Sequence, residues 1–169
     1  MRQLLACFAL VLALVSCNRE KAAIPKEYKI SGREAALPIP DSLEHGKTYL
    51  PIYSHIYHVH ERRTYDLTVT VSIRNVSPAD TVFILRGDYY NTKGDKIREY
   101  IKAPIYVLPM ETVEIVIAEA DREGGSGANF VFDWAAQDKK NPPLIEAVMI
   151  STYGEQGVSF SSRGVRIYE

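Results

Sequence analysis

The chain has 169 residues, 46% of them hydrophobic, which fits one globular domain with additional terminal segments. Its 20 basic and 21 acidic residues give a formal net charge of −1, and this near-neutral balance argues against nucleic acid as the main partner. The two cysteines are Cys7 and Cys17. Every residue after Cys17 is therefore without a thiol, which excludes thiol catalysis, disulfide exchange and cysteine metal sites in the domain.

Residues 1–16 have the pattern of a bacterial secretory signal. Arg2 supplies a positive charge, and the apolar run at residues 4–15 is shorter than the ~20 residues needed to span a bilayer. The run ends in L-V-S-C, which resembles the lipobox of bacterial lipoproteins. This resemblance implies cleavage before Cys17, a diacylglycerol on its sulfur and an acyl group on its amine, and two or more chains anchor a protein firmly. The alternative is an ordinary secretory signal with a chance cysteine.

Residues 17–47 are predicted to form the lipidated cysteine and an irregular tether. The segment contains Pro25, Pro38 and Pro40, many charges and no sustained periodicity. If flexible, it has a root-mean-square span of about 30 Å, which would hold the domain off the membrane. Asn18, rather than Asp, follows the cysteine, and by analogy with Gram-negative sorting this favours the outer membrane. Removal of Arg2 with the signal leaves 19 basic and 21 acidic residues, a charge of −2.

Residues 48–169 read as a succession of short strands. Residues 49–57 and 65–73 alternate between apolar and polar, as half-buried antiparallel strands do. Turn-forming residues recur every 8–12 positions, and no segment of twelve residues shows a helical period. We therefore predict an all-β domain, an antiparallel immunoglobulin-like β-sandwich of about seven to nine strands.

Three tyrosines of the first strand, Tyr49, Tyr53 and Tyr57, share one side of the alternation. Such a ladder suits contact with a glycan or a protein, although tyrosines more often only cover a sheet. The same stretch carries H-I-Y-H-V-H, with His55, His58 and His60. His58 and His60 are a possible half-site for Zn²⁺ or Cu²⁺, whereas His55 could join them only through a bulge. The other interpretation is a solvated strand end.

The stretch D-R-E-G-G-S-G-A-N-F-V-F-D-W, residues 121–134, is the most unusual in the chain. Its aromatic residues alternate, so we predict a central core strand with Phe130, Phe132 and Trp134 inward. Gly124, Gly125 and Gly127 indicate a loop with unusual dihedral angles.

Four interpretations of this loop follow. The first is a tight corner that aims the strand. It could also be a nest of backbone N–H groups for an anion or a carboxylate, with Asp121, Ser126 and Asn129 as partners. A serine nucleophile is the third, but a nucleophile elbow leads into a helix and here a strand follows. A P-loop is weaker still, since no Lys-Ser/Thr pair follows the glycines.

Further charged residues lie in the predicted strands. Asp88 and Asp133 are candidate buried partners of Arg86 or Arg163. Arg163 precedes Gly164, and the pair predicts a bulge or a kink in the last strand.

A family resemblance adds to this interpretation. The combination of L-P-I-Y-S-H-I-Y, S-I-R-N, D-Y-Y-N-T-K-G, G-G-S-G-A-N-F and S-F-S-S-R-G resembles a bacterial family of small exported proteins known only as a domain of unknown function. The resemblance covers most of residues 48–167. It implies a fold class and carries no activity, cofactor or catalytic residue.

The sequence therefore predicts a lipid-anchored lipoprotein of the bacterial envelope with a non-catalytic binding domain. Its expected partner is the membrane, through Cys17, together with an envelope protein, a glycan or a small ligand, and no cofactor is expected. The candidate ligand-binding residues are Tyr49, Tyr53, Tyr57, Asp121, Gly124, Gly125, Ser126, Gly127, Asn129 and Arg163. The alternative is an envelope hydrolase or metal-dependent enzyme that uses the glycine loop or the histidines.

Overall fold

A computed structural model describes residue 30 and residues 32–137, 140–152 and 157–168. The predicted signal, Cys17 and the tether up to residue 29 lie outside the described residues. Within the described ranges, no helix has the length and apolar character needed to cross a membrane.

Six strands form the larger sheet, in the order β12-β1-β9-β5-β6, with β7 also pairing with β5. All of these pairings are antiparallel. The strands of this six-stranded sheet are β1 (Glu44–Ile52), β5 (Val82–Tyr90), β6 (Lys96–Ile101), β7 (Ile105–Val107), β9 (Ala128–Ala136) and β12 (Val165–Ile167).

The second sheet has four antiparallel strands in the order β11-β10-β4-β8. They are β4 (Thr68–Arg74), β8 (Thr112–Ile117), β10 (Leu144–Ser151) and β11 (Val158–Arg163). A separate two-stranded hairpin consists of β2 (His55–His58) and β3 (His60–Asp66). Gly125–Gly127 form one turn of 3-10 helix directly before β9.

The core lies between the two sheets and follows the predicted alternation. Phe130, Phe132 and Trp134 of β9 are buried, and their neighbours Val131 and Asp133 are only partly buried. On the facing sheet, alternate residues of three strands are buried. Leu67 and the inward residues of β4 are fully buried, and those of β8 and β10 are at most 6% exposed. The inward residues of these strands are Val69, Val71, Ile73, Val113, Ile115, Ile117, Ile145, Ala147 and Met149. The predicted all-β antiparallel sandwich is confirmed.

The described part of the domain contains twelve strands rather than the predicted seven to nine, because two alternating runs are interrupted. Tyr53 and Ser54 separate β1 from β2, and Leu67 separates β3 from β4. The predicted kink at Gly164 is a crossing between sheets, since β11 belongs to the four-stranded sheet and β12 to the six-stranded one. A Cβ on Gly164 would lie 2.6 Å from Thr48 Cγ2, so a side chain has no room there.

The packed domain begins earlier than the predicted boundary at residue 48. Strand β1 starts at Glu44, and Glu34 forms an isolated bridge with Ile105. Arg33 Nη2 lies 2.7 Å from a carboxylate oxygen of Glu111, which raises the pKa of Arg33 and lowers that of Glu111. The end of the predicted tether is therefore attached to the domain.

A buried asparagine organises the turn between β4 and β5. Asn75 Nδ2 donates to the carbonyl oxygens of Asp80 (2.7 Å), Val107 (3.0 Å) and Leu108 (3.0 Å). Its Oδ1 accepts from the N–H of Ser77 at 2.9 Å. One side chain thus contacts four backbone groups around this turn, with the two amide hydrogens shared among three carbonyls.

Candidate functional site

The glycine turn, residues 124–127, is held in place by its own hydrogen bonds. Gly125 has a φ of +78°. The N–H of Gly125 donates to the carbonyl of Arg122 (3.2 Å), and that of Gly127 donates to Thr92 Oγ1 (2.9 Å). The carbonyl of Gly125 accepts from the N–H of Ser54 at 2.9 Å. Two of the N–H groups that a nest would present to an anion are therefore already bound within the protein.

Close packing beneath the turn explains why its first residue, Gly124, has no side chain. A Cβ on Gly124 would lie 1.9 Å from the Tyr89 hydroxyl and 2.8 Å from Ser54 Oγ. Tyr89 and Ser54 are fully buried and share a hydrogen bond of 3.0 Å. Burial raises the pKa of Tyr89 to about 12, despite the opposing effect of that hydrogen bond.

The histidine hairpin lies beside the turn. The Ser126 hydroxyl approaches the Tyr57 hydroxyl to 3.5 Å, and Arg122 binds Asp66 of β3 at 3.0 Å. His55 pairs with Asp66 across the hairpin, and its Nδ1 is buried. Burial and, to a smaller extent, the charge of Arg122 lower the pKa of His55, while Asp66 raises it. The structure thus brings Ser126, Tyr57 and His55 to one end of the sandwich.

The other histidines have separate neighbours at the tip of this hairpin. The ring of His58 stacks on Tyr65 with centroids 4.1 Å apart, and His60 Nδ1 accepts from the N–H of Arg62 at 3.2 Å. Val59, between them, has a φ of +67°. In the part of the chain that the structure describes, no three His, Cys, Asp or Glu side chains are grouped so that they could hold a metal ion.

Asp121 is engaged in an ion-pair cluster at the edge of the turn. Arg98 binds it at 2.7 Å and also binds Glu123 at 2.7 Å and the hydroxyl of Tyr100 at 2.7 Å. Burial alone would lower the pKa of Arg98, but the hydrogen bonds to Asp121 and Tyr100 outweigh it and raise that pKa. Asn129 lies within β9, paired with both β1 and β5.

The predicted tyrosines and Arg163 lie in different parts of the fold. Tyr49 lies within β1, Tyr53 packs edge-on against Phe160 at 5.7 Å between centroids, and Tyr57 belongs to the separate hairpin. The predicted tyrosine ladder is wrong, because the strand breaks at Tyr53 and its alternation does not continue into β2. Arg163 lies in β11 of the other sheet.

A cavity of about 510 Å³ opens at the opposite end of β1, among β1, β5, β9 and β12. Its walls contain aromatic, aliphatic and charged groups of both signs, a composition typical of small-ligand sites. The lining residues are His45, Gly46, Lys47, Leu85, Asp133, Trp134, Arg166, Ile167 and Tyr168. We call it the Trp134 cavity.

The position of the indole is fixed by its strand neighbours. Gly46 pairs with Trp134 across β1 and β9, and a Cβ there would lie 2.2 Å from the indole ring. Trp134 Nε1 donates to Thr48 Oγ1 at 2.9 Å. The polar end of the indole is therefore satisfied, and the ring forms a rigid wall.

Arg166 is the central charged group of the Trp134 cavity. Its guanidinium carbon lies 5.1 Å from the centroid of Trp134 and 5.2 Å from that of Tyr168, in cation–π range of both. Its Nη2 binds Glu44 at 2.8 Å. Its Nε is buried and makes no hydrogen bond within the described residues. A buried charged donor without an acceptor favours a ligand oxygen at this point.

Asp133 supplies the acidic side of the same cavity. Its carboxylate oxygens lie 3.1 Å from Arg86 Nε and 3.8 Å from Lys47 Nζ. Arg86 also contacts Asp88 at 3.2 Å, so both acids pair with Arg86, although only Asp88 is buried as predicted and Asp133 is partly exposed. The charges of Arg86 and Lys47 therefore both act on the carboxylate of Asp133.

Sequence reasoning missed the Trp134 cavity. The alternation of β9 identified Trp134 only as a core residue. Gly46 and Arg166 lie 88 and 32 positions from it along the chain, and strand pairing alone makes them its neighbours. The sequence signal for the cavity is the charged Arg166 between Val165 and Ile167. Period-two alternation places Arg166 on the opposite face of the strand from these two apolar neighbours.

The family profile described as "Protein of unknown function (DUF3124)" matches residues 45–167. The chain belongs to the DUF3124 family. The match begins at the first residues of β1 and ends with β12, so the DUF3124 unit coincides with the sandwich and includes the Trp134 cavity.

Two further comparisons were made for this DUF3124 protein. No curated protein matches the chain with significance. A solved structure described as "Crystal Structure of Thermotoga maritima 1070" superposes with a TM-score of 0.43 at 7% sequence identity, covering 71% of this chain and 92% of the other.

Proposed function

We propose that this DUF3124 protein is a non-catalytic binding module, held at the bacterial envelope by lipid on Cys17, whose ligand occupies the Trp134 cavity. The observation that supports the binding role is the buried Arg166 Nε, which has no hydrogen-bond partner among the described residues, in the wall of a ligand-sized cavity. Cavities of roughly 300–1,000 Å³ with a few fixed polar groups are typical of small-molecule sites.

The walls suggest the chemistry of the ligand. Arg166 and Lys47 offer donors, while Ile167 and the largely exposed ring of Tyr168 offer an apolar surface. A ligand with acceptor oxygens on one side and C–H groups on the other matches both. An acidic saccharide has these properties, and a glycan agrees with the envelope location that the lipobox implies.

Trp134 provides the assay, because it is the chain's one tryptophan. Acidic oligosaccharides, neutral oligosaccharides and acidic peptides are titrated against the protein while its fluorescence is recorded. We expect the acidic saccharides to change the emission. Arg166→Gln should weaken binding roughly tenfold or more, since hydrogen bonds to a charged group contribute about 1.5–3 kcal/mol.

The matched control is Lys93→Gln, which removes one exposed positive charge in the connection between β5 and β6. Binding should be unchanged in that variant. A flat fluorescence signal with all three panels, or equal losses in the two variants, contradicts a ligand site in the Trp134 cavity.

The proposed anchor is tested separately. Cys17→Ala should move the protein from the membrane fraction to the soluble fraction and abolish labelling by a palmitate analogue. Proximity crosslinking in cells, compared between the native chain and Cys17→Ala, would identify envelope partners. Continued membrane attachment of Cys17→Ala refutes the lipid anchor without affecting the cavity.

A hydrolase centred on the glycine turn is the second candidate. It is favoured by the contact of Ser126 with Tyr57 and by the presence of His55 in the same hairpin. Ser126→Ala and His55→Gln should each abolish hydrolysis of envelope esters or peptides if this candidate is correct. Retention of full hydrolysis in both variants removes it.

A further inference from the structure

The outer face of the four-stranded sheet is the surface that remains without a function. Its inward residues fill the core, while its outward positions expose Val116 (39%), Val148 (45%) and Ile150 (43%). The outward residues between them are hydroxyl-bearing: Thr68, Thr70, Ser159 and Ser161. The middle of this face therefore carries no charge.

Strand register arranges these residues in straight rows across the sheet. Val116 of β8 is opposite Thr70 of β4, Thr70 is opposite Val148 of β10, and Val148 is opposite Ser161 of β11. One level further along the strands, Thr68, Ile150 and Ser159 form a second uncharged row. Flat rows of small and β-branched side chains suit packing against another sheet.

A third row carries opposite charges at its two ends. It runs from Glu114 on edge strand β8 through Ser72 and Glu146 to Arg163 on edge strand β11. Glu146 is already bound to Arg74 at 2.8 Å. Glu114 and Arg163 are exposed, and neither has a side-chain partner within the described ranges. Three strand spacings, roughly 14 Å, separate them in one chain.

We propose that this face binds the same face of a second copy, with the two-fold axis parallel to the strands. Such an axis reverses the strand order of the facing sheet but keeps each row at its level. Glu114 of each chain then faces Arg163 of the other, and Val116 faces the opposing Ser161. The pattern is self-complementary, as an isologous interface requires.

Size indicates that the dimer is weak. Four strands about 4.8 Å apart and about six residues long, at ~3.3 Å each, cover roughly 400 Å² per chain. The interface total lies below the ~1,200–2,000 Å² of stable complexes. We therefore expect dimers only where the protein is concentrated, as on a membrane. The charges of Glu114 and Arg163 are expected to set the orientation and register of the two sheets.

Thiol crosslinking of the full chain in intact cells tests the geometry. Facing sheets lie about 10 Å apart, beyond the ~7 Å limit of a disulfide, so a short bis-maleimide is the reagent. The double variant Val116→Cys/Ser161→Cys should give a covalent dimer. Each single variant should give none, because the two-fold places like positions on opposite edges. The unmodified chain controls for its own cysteines.

Charge reversal in the double-cysteine background tests the pairing. Glu114→Arg alone and Arg163→Glu alone should each lower the dimer yield by about threefold or more, since like charges then meet at both ends. The combined reversal should restore the yield. Arg163→Glu places a second carboxylate beside Glu146 and could impair folding for that reason alone. The neighbour of Glu114 is the uncharged Ser72, so Glu114→Arg remains informative in that case.

The outcomes are exclusive. Dimer from the double-cysteine variant alone, with loss and recovery on charge reversal, supports the proposal. Absence of that dimer, an equal dimer from the single variants, or no recovery in the combined reversal overturns it. None of these outcomes depends on the ligand in the Trp134 cavity.

Discussion

Gly124→Ala is the sharpest test of how the glycine turn is built. The backbone of Gly124 is already right-handed helical, with φ −68° and ψ −33°, so alanine is compatible with its dihedral angles. The added methyl would instead meet the Tyr89 hydroxyl at 1.9 Å and Ala128 Cβ at 2.7 Å. The cost must therefore come from packing.

The magnitude has two sources. Overpacking a core position costs about 1–3 kcal/mol. Moving Tyr89 also breaks its buried hydrogen bond with Ser54, and a buried polar group without a partner costs about 1–3 kcal/mol. We expect a loss of about 3 kcal/mol in the free energy of unfolding. With a urea m-value of about 2 kcal/mol/M, the unfolding midpoint falls by about 1.5 M.

Urea denaturation followed by Trp134 fluorescence measures this loss. Gly127→Ala is the matched control, since its nearest neighbours would be side-chain atoms of Thr92, with Cγ2 closest at 3.2 Å, and it should cost less than ~1 kcal/mol. Tyr89→Phe removes the hydroxyl that clashes. The double variant Gly124→Ala/Tyr89→Phe should therefore lose at least ~1 kcal/mol less in the free energy of unfolding than the sum of the losses in the two single variants.

Two results would refute this reasoning. One is a Gly124→Ala variant as stable as the parent. The other is strict additivity with Tyr89→Phe, which would show that the glycine is required for a reason unrelated to the buried hydroxyl pair.

Three further predictions concern buried polar groups. Asn75→Asp should lower the free energy of unfolding by about 3 kcal/mol or more in urea, because a carboxylate cannot donate to the three carbonyls that Asn75 binds; an unchanged midpoint contradicts it. Because the pKa of His55 is lowered in the folded state, the unfolded chain binds more protons, and the free energy of unfolding falls as the pH drops below ~6.5. His55→Gln should make that fall less steep when denaturation is measured as a function of pH. Tyr89, with a pKa of about 12, should be missing from the tyrosine absorbance titration up to pH ~11, and Tyr89→Phe should leave that part of the curve unchanged.

The glycine turn shows how far sequence reasoning reached at the candidate site. Three glycines before an alternating strand predicted both the turn and the buried Phe130, Phe132 and Trp134, because both are consequences of local dihedral preference and period-two alternation. The partners of the turn could not be predicted. Thr92 lies 32 positions before Gly124, and only hairpin packing brings it there.

In the histidine stretch, residues 55–60, the local pattern predicted the wrong strand. Period-two alternation predicted one unbroken strand over residues 49–57, and it failed at Tyr53 and Ser54. Ser54 leaves the strand so that its N–H can bind the glycine turn and its hydroxyl can bind Tyr89. Those tertiary hydrogen bonds outweigh local propensity, and they move Tyr57 and the histidines onto a separate hairpin.

By itself, the sequence determined the all-β class, the inward face of each main strand and the corner before β9, because these depend on residues that are near one another in the chain. Tertiary structure alone decided which distant residues meet: Gly46 and Arg166 at Trp134, and Ser54 at Tyr89. It also decided that Glu114 and Arg163 lie at opposite ends of one row. The physical reason is that pairing register is a property of two strands together, and every cavity and row of charges in this protein is built across strands.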